Sequence, residues 1–197
     1  MGDIGILGGT FNPPHMGHLV MAQEALDQLD LDRVVLMPVA VPPHKEARED
    51  PGAAARLELC RLAVADDERF EVSTLEIERG GASFTVDTLR ELHDVEPEHD
   101  LTFIVGGDMA LSLPTWREPQ AILELAELGV AEREEIRRAD ILERLAALRT
   151  DGVRFFDMPR LDISSSQIRQ MVAAGRPIRY LVPDRVADYI EQAGLYR

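Results

Sequence analysis

An α/β fold built on a doubly wound parallel sheet is predicted for this chain of 197 residues. Three observations carry the prediction. Short apolar runs alternate with segments of helical period along the whole length, which is the pattern of successive βαβ units. Several runs are continuously apolar rather than alternating, as strands buried on both faces must be. Two of them end in paired glycines, where a strand can give way to a tight turn.

The elements follow in order. Ile4 to Leu7, closed by Gly8-Gly9, reads as the first strand. Leu19, Ala22, Leu26 and Leu29 recur at helical spacing and mark the first helix. Arg33 to Val39 is a second buried strand. Asp50-Pro51 has the form of an N-cap followed by proline in the first turn, opening a helix to about Ala65. Phe70 to Glu78 alternates in the manner of a strand, and Thr85 to Leu92 is helical. Leu101 to Val105 is a third buried strand, ending in Gly106-Gly107-Asp108. A helix from about Gln120 to Leu128, a strand at Gly129 to Ala131, a charged helix from Glu134 to Leu148 and a strand at Val153 to Phe156 complete the sheet. Two short helices close the chain. Ser164 and Gln167 fit a capping box for one that stops at Gly175, and Asp184 caps the other, which ends at Gly194. No repeat or linker divides the chain, so residues 1–197 read as a single domain with a C-terminal helical portion from about 159.

Composition narrows the class. The charged fraction is 29% and the hydrophobic fraction 45%, which is globular rather than disordered. One cysteine, Cys60, leaves no disulfide framework and no cysteine-based zinc cluster. No apolar stretch is long enough for a membrane span, and the first residues do not make a secretory signal, so the expectation is a cytoplasmic protein with no membrane partner. The 21 basic and 36 acidic residues leave a net charge of −15, which argues against binding nucleic-acid backbones. An anionic small molecule stays admissible if the few cations gather at its site. Lys45 is the only lysine, and a homo-oligomer is compatible with the sequence.

Four segments fall where a doubly wound sheet collects ligands, at strand carboxyl ends or at a helix start. Gly8-Gly9-Thr10-Phe11-Asn12-Pro13-Pro14-His15-Met16-Gly17-His18 joins the first strand to the first helix. Its glycines let backbone amides approach phosphate oxygens, and His15 and His18, three apart at a helix start, can face one side. Taken alone, such histidines could equally cap or pack, and no third residue for a metal site is obvious beside them. Ile163-Ser164-Ser165-Ser166-Gln167-Ile168-Arg169 places hydroxyls and an arginine at a helix N-terminus, which suits an anion as well as a cap. Pro42-Pro43-His44-Lys45 follows the second strand, and its lysine could neutralise phosphate. The fourth group is Ser83-Phe84-Thr85-Val86-Asp87-Thr88-Leu89 with Gly106-Gly107-Asp108 and Trp116-Arg117.

The first two segments resemble the paired signatures of the nucleotidyltransferase superfamily, HxGH and ISSSxIR, in the expected order. The other two are similar to the PPHK, FTxDTL and GxD…W segments of nicotinate-nucleotide adenylyltransferases. The resemblance spans essentially the whole chain and implies a Rossmann-like nucleotidyltransferase fold. It implies an enzyme joining ATP to nicotinic acid mononucleotide, with release of pyrophosphate and with Mg²⁺ delivered on ATP rather than held by a protein metal site. By the same resemblance His15, His18, Lys45 and Arg169 carry catalysis. Gly8, Gly9, Thr10 and Phe11 meet ATP, together with Gly106, Asp108, Ser165, Ser166 and Ile168. Thr85, Trp116 and the amide of Arg117 receive the pyridine mononucleotide, while Asp87 reads as structural. Nicotinamide mononucleotide is the nearest alternative substrate. Phosphopantetheine adenylyltransferases and non-catalytic nucleotide sensors are more distant ones. Asn12 and Gly107 depart from the aspartate and alanine usual in the family, and Ala131 to Glu134 departs from its apolar strand, leaving the role of Arg133 open.

Overall fold

The computed structural model describes residues 2–41, 49–132, 136–148 and 150–197. Lys45, His44 and Arg133 lie outside the described residues. Six parallel strands form one sheet in the order β3-β2-β1-β4-β5-β6. They are β1 (Gly2–Gly9), β2 (Arg33–Pro38), β3 (Phe70–Val72), β4 (His99–Gly106), β5 (Glu127–Glu132) and β6 (Val153–Asp157). The helices between them are α1 (Met16–Gln28), α2 (Ala53–Val64), α3 (Leu75–Arg79), α4 (Thr85–Val95), α5 (Gly107–Ser112), α6 (Pro119–Leu125) and α7 (Arg138–Leu145). Then α8 (Ser165–Ala173) and α9 (Asp184–Gln192) follow the sheet.

The period of two along each strand sorts the apolar side chains into two layers. Ile4, Ile6, Phe103, Val105, Leu128 and Val130 pack with Val86 and Leu89 of α4 and with Ile122, Ile141 and Leu145. Leu7, Val34, Leu36, Ile104 and Phe156 pack on the other side with Ala22 and Ala25 of α1 and Cys60 and Val64 of α2. A third cluster joins Leu59 of α2 to Ile168 of α8 and to Val186 and Ile190 of α9. It fixes the C-terminal helices on the side of α2.

The strand order reverses between β1 and β4, where Leu7 stands opposite Ile104. That reversal opens a crevice at the carboxyl ends, the usual ligand position in such sheets. Gly8-Gly9 and Gly106-Gly107-Asp108 both end there.

The structure corrects several sequence expectations. The alternating stretch from Phe70 is a strand only to Val72. The Ser73 hydroxyl then accepts from the Leu75 amide, and α3 begins. Glu76 turns inward instead of continuing the strand, accepting from the Thr88 hydroxyl at 2.6 Å. Asp50 is not an N-cap: Gly52 holds that position, and Asp50 accepts from the Gly52 amide and from Arg56. Leu128 is strand rather than helix, because its amide donates to Gly152 O and it pairs with Phe103. The last helix is capped by Pro183, and Asp184 pairs with Arg179 at 3.1 Å. At α8 the Ser164 hydroxyl does accept from the Gln167 amide.

Candidate active site

The loop leaving β1 carries the site's centre. Phe11 adopts a left-handed backbone, φ 49°, and the Asn12–Pro13 bond is cis. His15 is the N-cap of α1, in an extended conformation. Its backbone amide donates to His18 Nδ1 at 3.2 Å. The two imidazoles stack at 3.7 Å between centroids, and the Phe11 ring meets His18 edge-on at 5.1 Å. Gly17 leaves room between them: a Cβ there would lie 3.1 Å from the His15 ring and press on the stacked pair.

These contacts fix the protonation of His18. His18 is half-buried by exposure, but its ring is packed closely enough that desolvation, and secondly the neighbouring His15, lower its pKa to about 3. The ring is therefore neutral at pH 7. Because Nδ1 accepts a hydrogen bond, the proton resides on Nε2, which is left as a donor.

The C-terminal segment closes on the same loop. The Ser165 hydroxyl donates to Pro13 O at 2.8 Å. Arg169 Nη1 donates to Asn12 O at 2.9 Å, its Nε to Glu49 Oε2 at 2.8 Å, and its Nη2 to the Ser166 hydroxyl at 3.3 Å. The Met16 amide donates to Leu181 O, and the Tyr196 hydroxyl donates to Asn12 Oδ1 at 2.6 Å. The N-termini of α1 and α8 are thus held side by side over residues 12–15, and helix N-termini favour anions. Ile168 does not join this group. Its side chain is buried in the third cluster and its amide is spent on Ser164 O, so it anchors α8.

Opposite, across β4, Gly106 is the N-cap of α5 and Asp108 lies exposed in its first turn. Thr85 is the first residue of α4, with Phe84 as N-cap. Arg117 lies over the Phe84 ring at 4.9 Å and donates to Asp87 at 3.1 Å, which ties Trp116-Arg117 to the start of α4. Trp116 Nε1 donates to the Ser112 hydroxyl at 3.0 Å, and its ring meets Phe103 edge-on at 6.0 Å. Thr85, Trp116 and Arg117 are therefore brought together, with Asp87 as a structural link.

Arg56 was not singled out from sequence, yet it is fully buried directly behind the loops. Its signal was legible in retrospect, since it stands in helical register with the buried Leu59 and Cys60. Cys60 beside it is a neutral thiol, its pKa pushed up to about 12 by burial. Among the described residues no three His, Cys, Asp or Glu side chains gather as a metal set, and no helix is long and apolar enough to cross a membrane.

A six-stranded parallel sheet with a histidine pair and two helix N-termini at its switch point defines a nucleotidyltransferase, and the cytidylyltransferase-like family model matches residues 6–171. The chain is 47% identical over 200 residues to the probable nicotinate-nucleotide adenylyltransferase of Desulfitobacterium hafniense (strain Y51), covering 98% of this chain and 95% of that one. It is 45% identical over 195 residues to the counterpart of the same name in Exiguobacterium sibiricum, covering 98% of each. This chain belongs to the nicotinate-nucleotide adenylyltransferase family. In fold it is similar to the Plasmodium falciparum nicotinic acid mononucleotide adenylyltransferase complexed with APC, with a TM-score of 0.81 at 17% identity, covering 100% of this chain and 98% of that one. The same Plasmodium enzyme complexed with NaAD gives a TM-score of 0.79 at 18% identity over the same shares.

Proposed function

We propose that this enzyme transfers the adenylyl group of ATP to nicotinic acid mononucleotide, giving nicotinic acid adenine dinucleotide and pyrophosphate in NAD biosynthesis. The observation that carries the reading is the meeting of two helix N-termini, with His18 and Arg169, over one loop at the sheet's switch point. In the reaction a 5′-phosphate oxygen of the mononucleotide bonds to the α-phosphorus as the bond to the bridging oxygen of the β-phosphate breaks. The attacking oxygen is already anionic, so no general base is needed. The barrier lies in bringing two polyanions together and stabilising charge on the transferring group.

Each residue then has a task. His18 donates Nε2–H to an α-phosphate oxygen, and His15, stacked on it, holds its orientation. Ser165, Ser166 and Arg169 receive the β- and γ-phosphates, with Lys45 adding charge. Gly8, Gly9, Thr10 and Phe11 offer backbone, and Gly106 and Asp108 take the adenosine side. Thr85, Trp116 and the Arg117 amide hold the pyridine. Mg²⁺ arriving on ATP neutralises the triphosphate. The same reading takes residues 1–197 as one domain working in the cytoplasm.

The test is pyrophosphate release from Mg²⁺·ATP with nicotinic acid mononucleotide, nicotinamide mononucleotide or phosphopantetheine offered separately. Turnover with the acid is expected. Turnover with only the amide would reassign the pyridine pocket, and silence with all three would refute the activity. A chiral α-phosphorus should invert, and retention would require a covalent nucleotidyl-enzyme.

A further inference from the structure

Arg56 presents a question that the proposed reaction does not answer. It projects from the first turns of α2 into the protein and is fully buried, 0% exposed. A buried guanidinium is costly, and well-packed apolar residues often replace buried ion pairs without loss of stability. Net stability is therefore weak grounds for an arginine at this position.

Its partners do give one. Nη1 donates to Thr10 O at 3.1 Å and to Val39 O at 2.7 Å, and Nη2 donates to Ala40 O at 2.8 Å. Nε donates to Asp50 Oδ1 at 3.0 Å, which aims the planar fork. Thr10 belongs to the loop leaving β1, while Val39 and Ala40 belong to the chain leaving β2. One side chain thus grips the backbone after two neighbouring strands, at the same end of the sheet as the crevice.

A trans peptide points its carbonyl and its N–H in opposite directions. Arg56 draws the Thr10 carbonyl toward itself, so the N–H of the same peptide, that of Phe11, points away from the guanidinium. The next residue needs this grip most. Phe11 holds φ 49°, a backbone that an L side chain keeps only when its surroundings over-determine it. The Phe11 ring in turn meets His18 edge-on at 5.1 Å. A physical chain runs from the guanidinium through the Thr10 carbonyl and the Phe11 backbone to the His18 ring.

We infer that Arg56, aimed by Asp50, is a positioning residue for adenylyl transfer: it sets the Phe11 amide and the His18 imidazole against the α-phosphate without touching substrate. The inference rests on the proposed reaction and deepens it. Lysine in its place keeps the charge but cannot span three carbonyls of fixed direction.

The test compares Arg56→Lys, Asp50→Ala and Asp50→Asn with the parent in kcat, KM for each substrate, ATP Kd by calorimetry, and Tm. Rates are taken well below every Tm and expressed per folded molecule. Arg56→Lys is expected to lower kcat/KM for ATP at least tenfold and to weaken ATP binding at least fivefold, while KM for the mononucleotide stays within threefold. Asp50→Ala should lower kcat at least fivefold, and Asp50→Asn, which keeps the Oδ1 acceptor, should recover to within twofold of the parent. A merely structural arginine would lower Tm and leave kcat and ATP Kd within twofold, and that result overturns the inference. Asp50 lies on a loop and is partly exposed, so its pair of variants decides the matter should Arg56→Lys not fold. A parent that binds ATP without turnover would refute the reaction instead, and the ATP Kd series would still decide the role of Arg56.

Discussion

His18 shows how much of the chemistry is settled by one side chain's surroundings. Its Nδ1 is occupied by the His15 amide, and burial beside His15 keeps the ring neutral, so only the Nε2 donor can face a ligand. Asparagine at this position can still accept from the His15 amide through Oδ1 but has no donor where Nε2 stood. We expect His18→Asn to fold and to lose about a hundredfold or more in kcat, the usual cost of removing one such donor. A loss below fivefold would place the charge stabilisation elsewhere. The same variant reports on stability. The folded pKa of about 3 lies below the unfolded value near 6.5, so between these pH values the unfolded chain binds the extra proton. His18 thus costs no stability above about pH 6.5 and destabilises the fold increasingly as pH falls toward 3. Urea midpoints at pH 7.5 and pH 5 should separate more for the parent than for His18→Asn, and equal separations would contradict the assigned protonation state.

At the scale of elements, α8 matters because its first turn faces the β1 loop while its far end must stop cleanly. Gly175 makes the stop, at φ 66°, with its amide on Val172 O and the next amide on Met171 O. A Cβ added at Gly175 would meet nothing within 4 Å, so alanine there pays only the left-handed backbone cost of about 1 kcal/mol. Gly175→Ala should lower Tm by roughly 2–4 °C and leave kcat unchanged. A larger fall would mean that the helix end carries contacts beyond the turn. This stop, like the HxGH and ISSSxIR segments, was legible because its determinants are local. The β3 region was not. Phe70 and Val72 alternate convincingly, but Glu76 is drawn inward by Thr88, twelve residues on, and no local pattern announces that pairing. The hydrogen bond from Tyr196 to Asn12 joins residues 184 apart, and Glu49 reaches Arg169 across 120. The motifs marked His15, His18, Ser165 and Arg169, which meet at the β1 loop, while the contacts that hold them there came only with the fold.

Over the whole molecule, the net charge of −15 opposes the approach of ATP, so on the proposed reading affinity comes from short-range contacts where cations and helix N-termini converge. Those contacts are shared between the sheet and the C-terminal helices. Ser165, Arg169, Leu181 and Tyr196 all bind residues 12–16, and the cluster of Leu59 with Ile168 and Val186 joins the same two parts from behind. A ligand seated between the N-termini of α1 and α8 therefore stabilises both parts together. At a hundred times its Kd, a non-hydrolysable ATP analogue with Mg²⁺ should add about 2.7 kcal/mol. In a chain of this size that is a rise in Tm of roughly 5–11 °C. Calorimetry should show one transition, moving as a unit when the analogue is added. Two transitions, with only one of them shifted, would mean that the C-terminal helices fold as a separate domain and that the phosphate site is not shared across the boundary near residue 159.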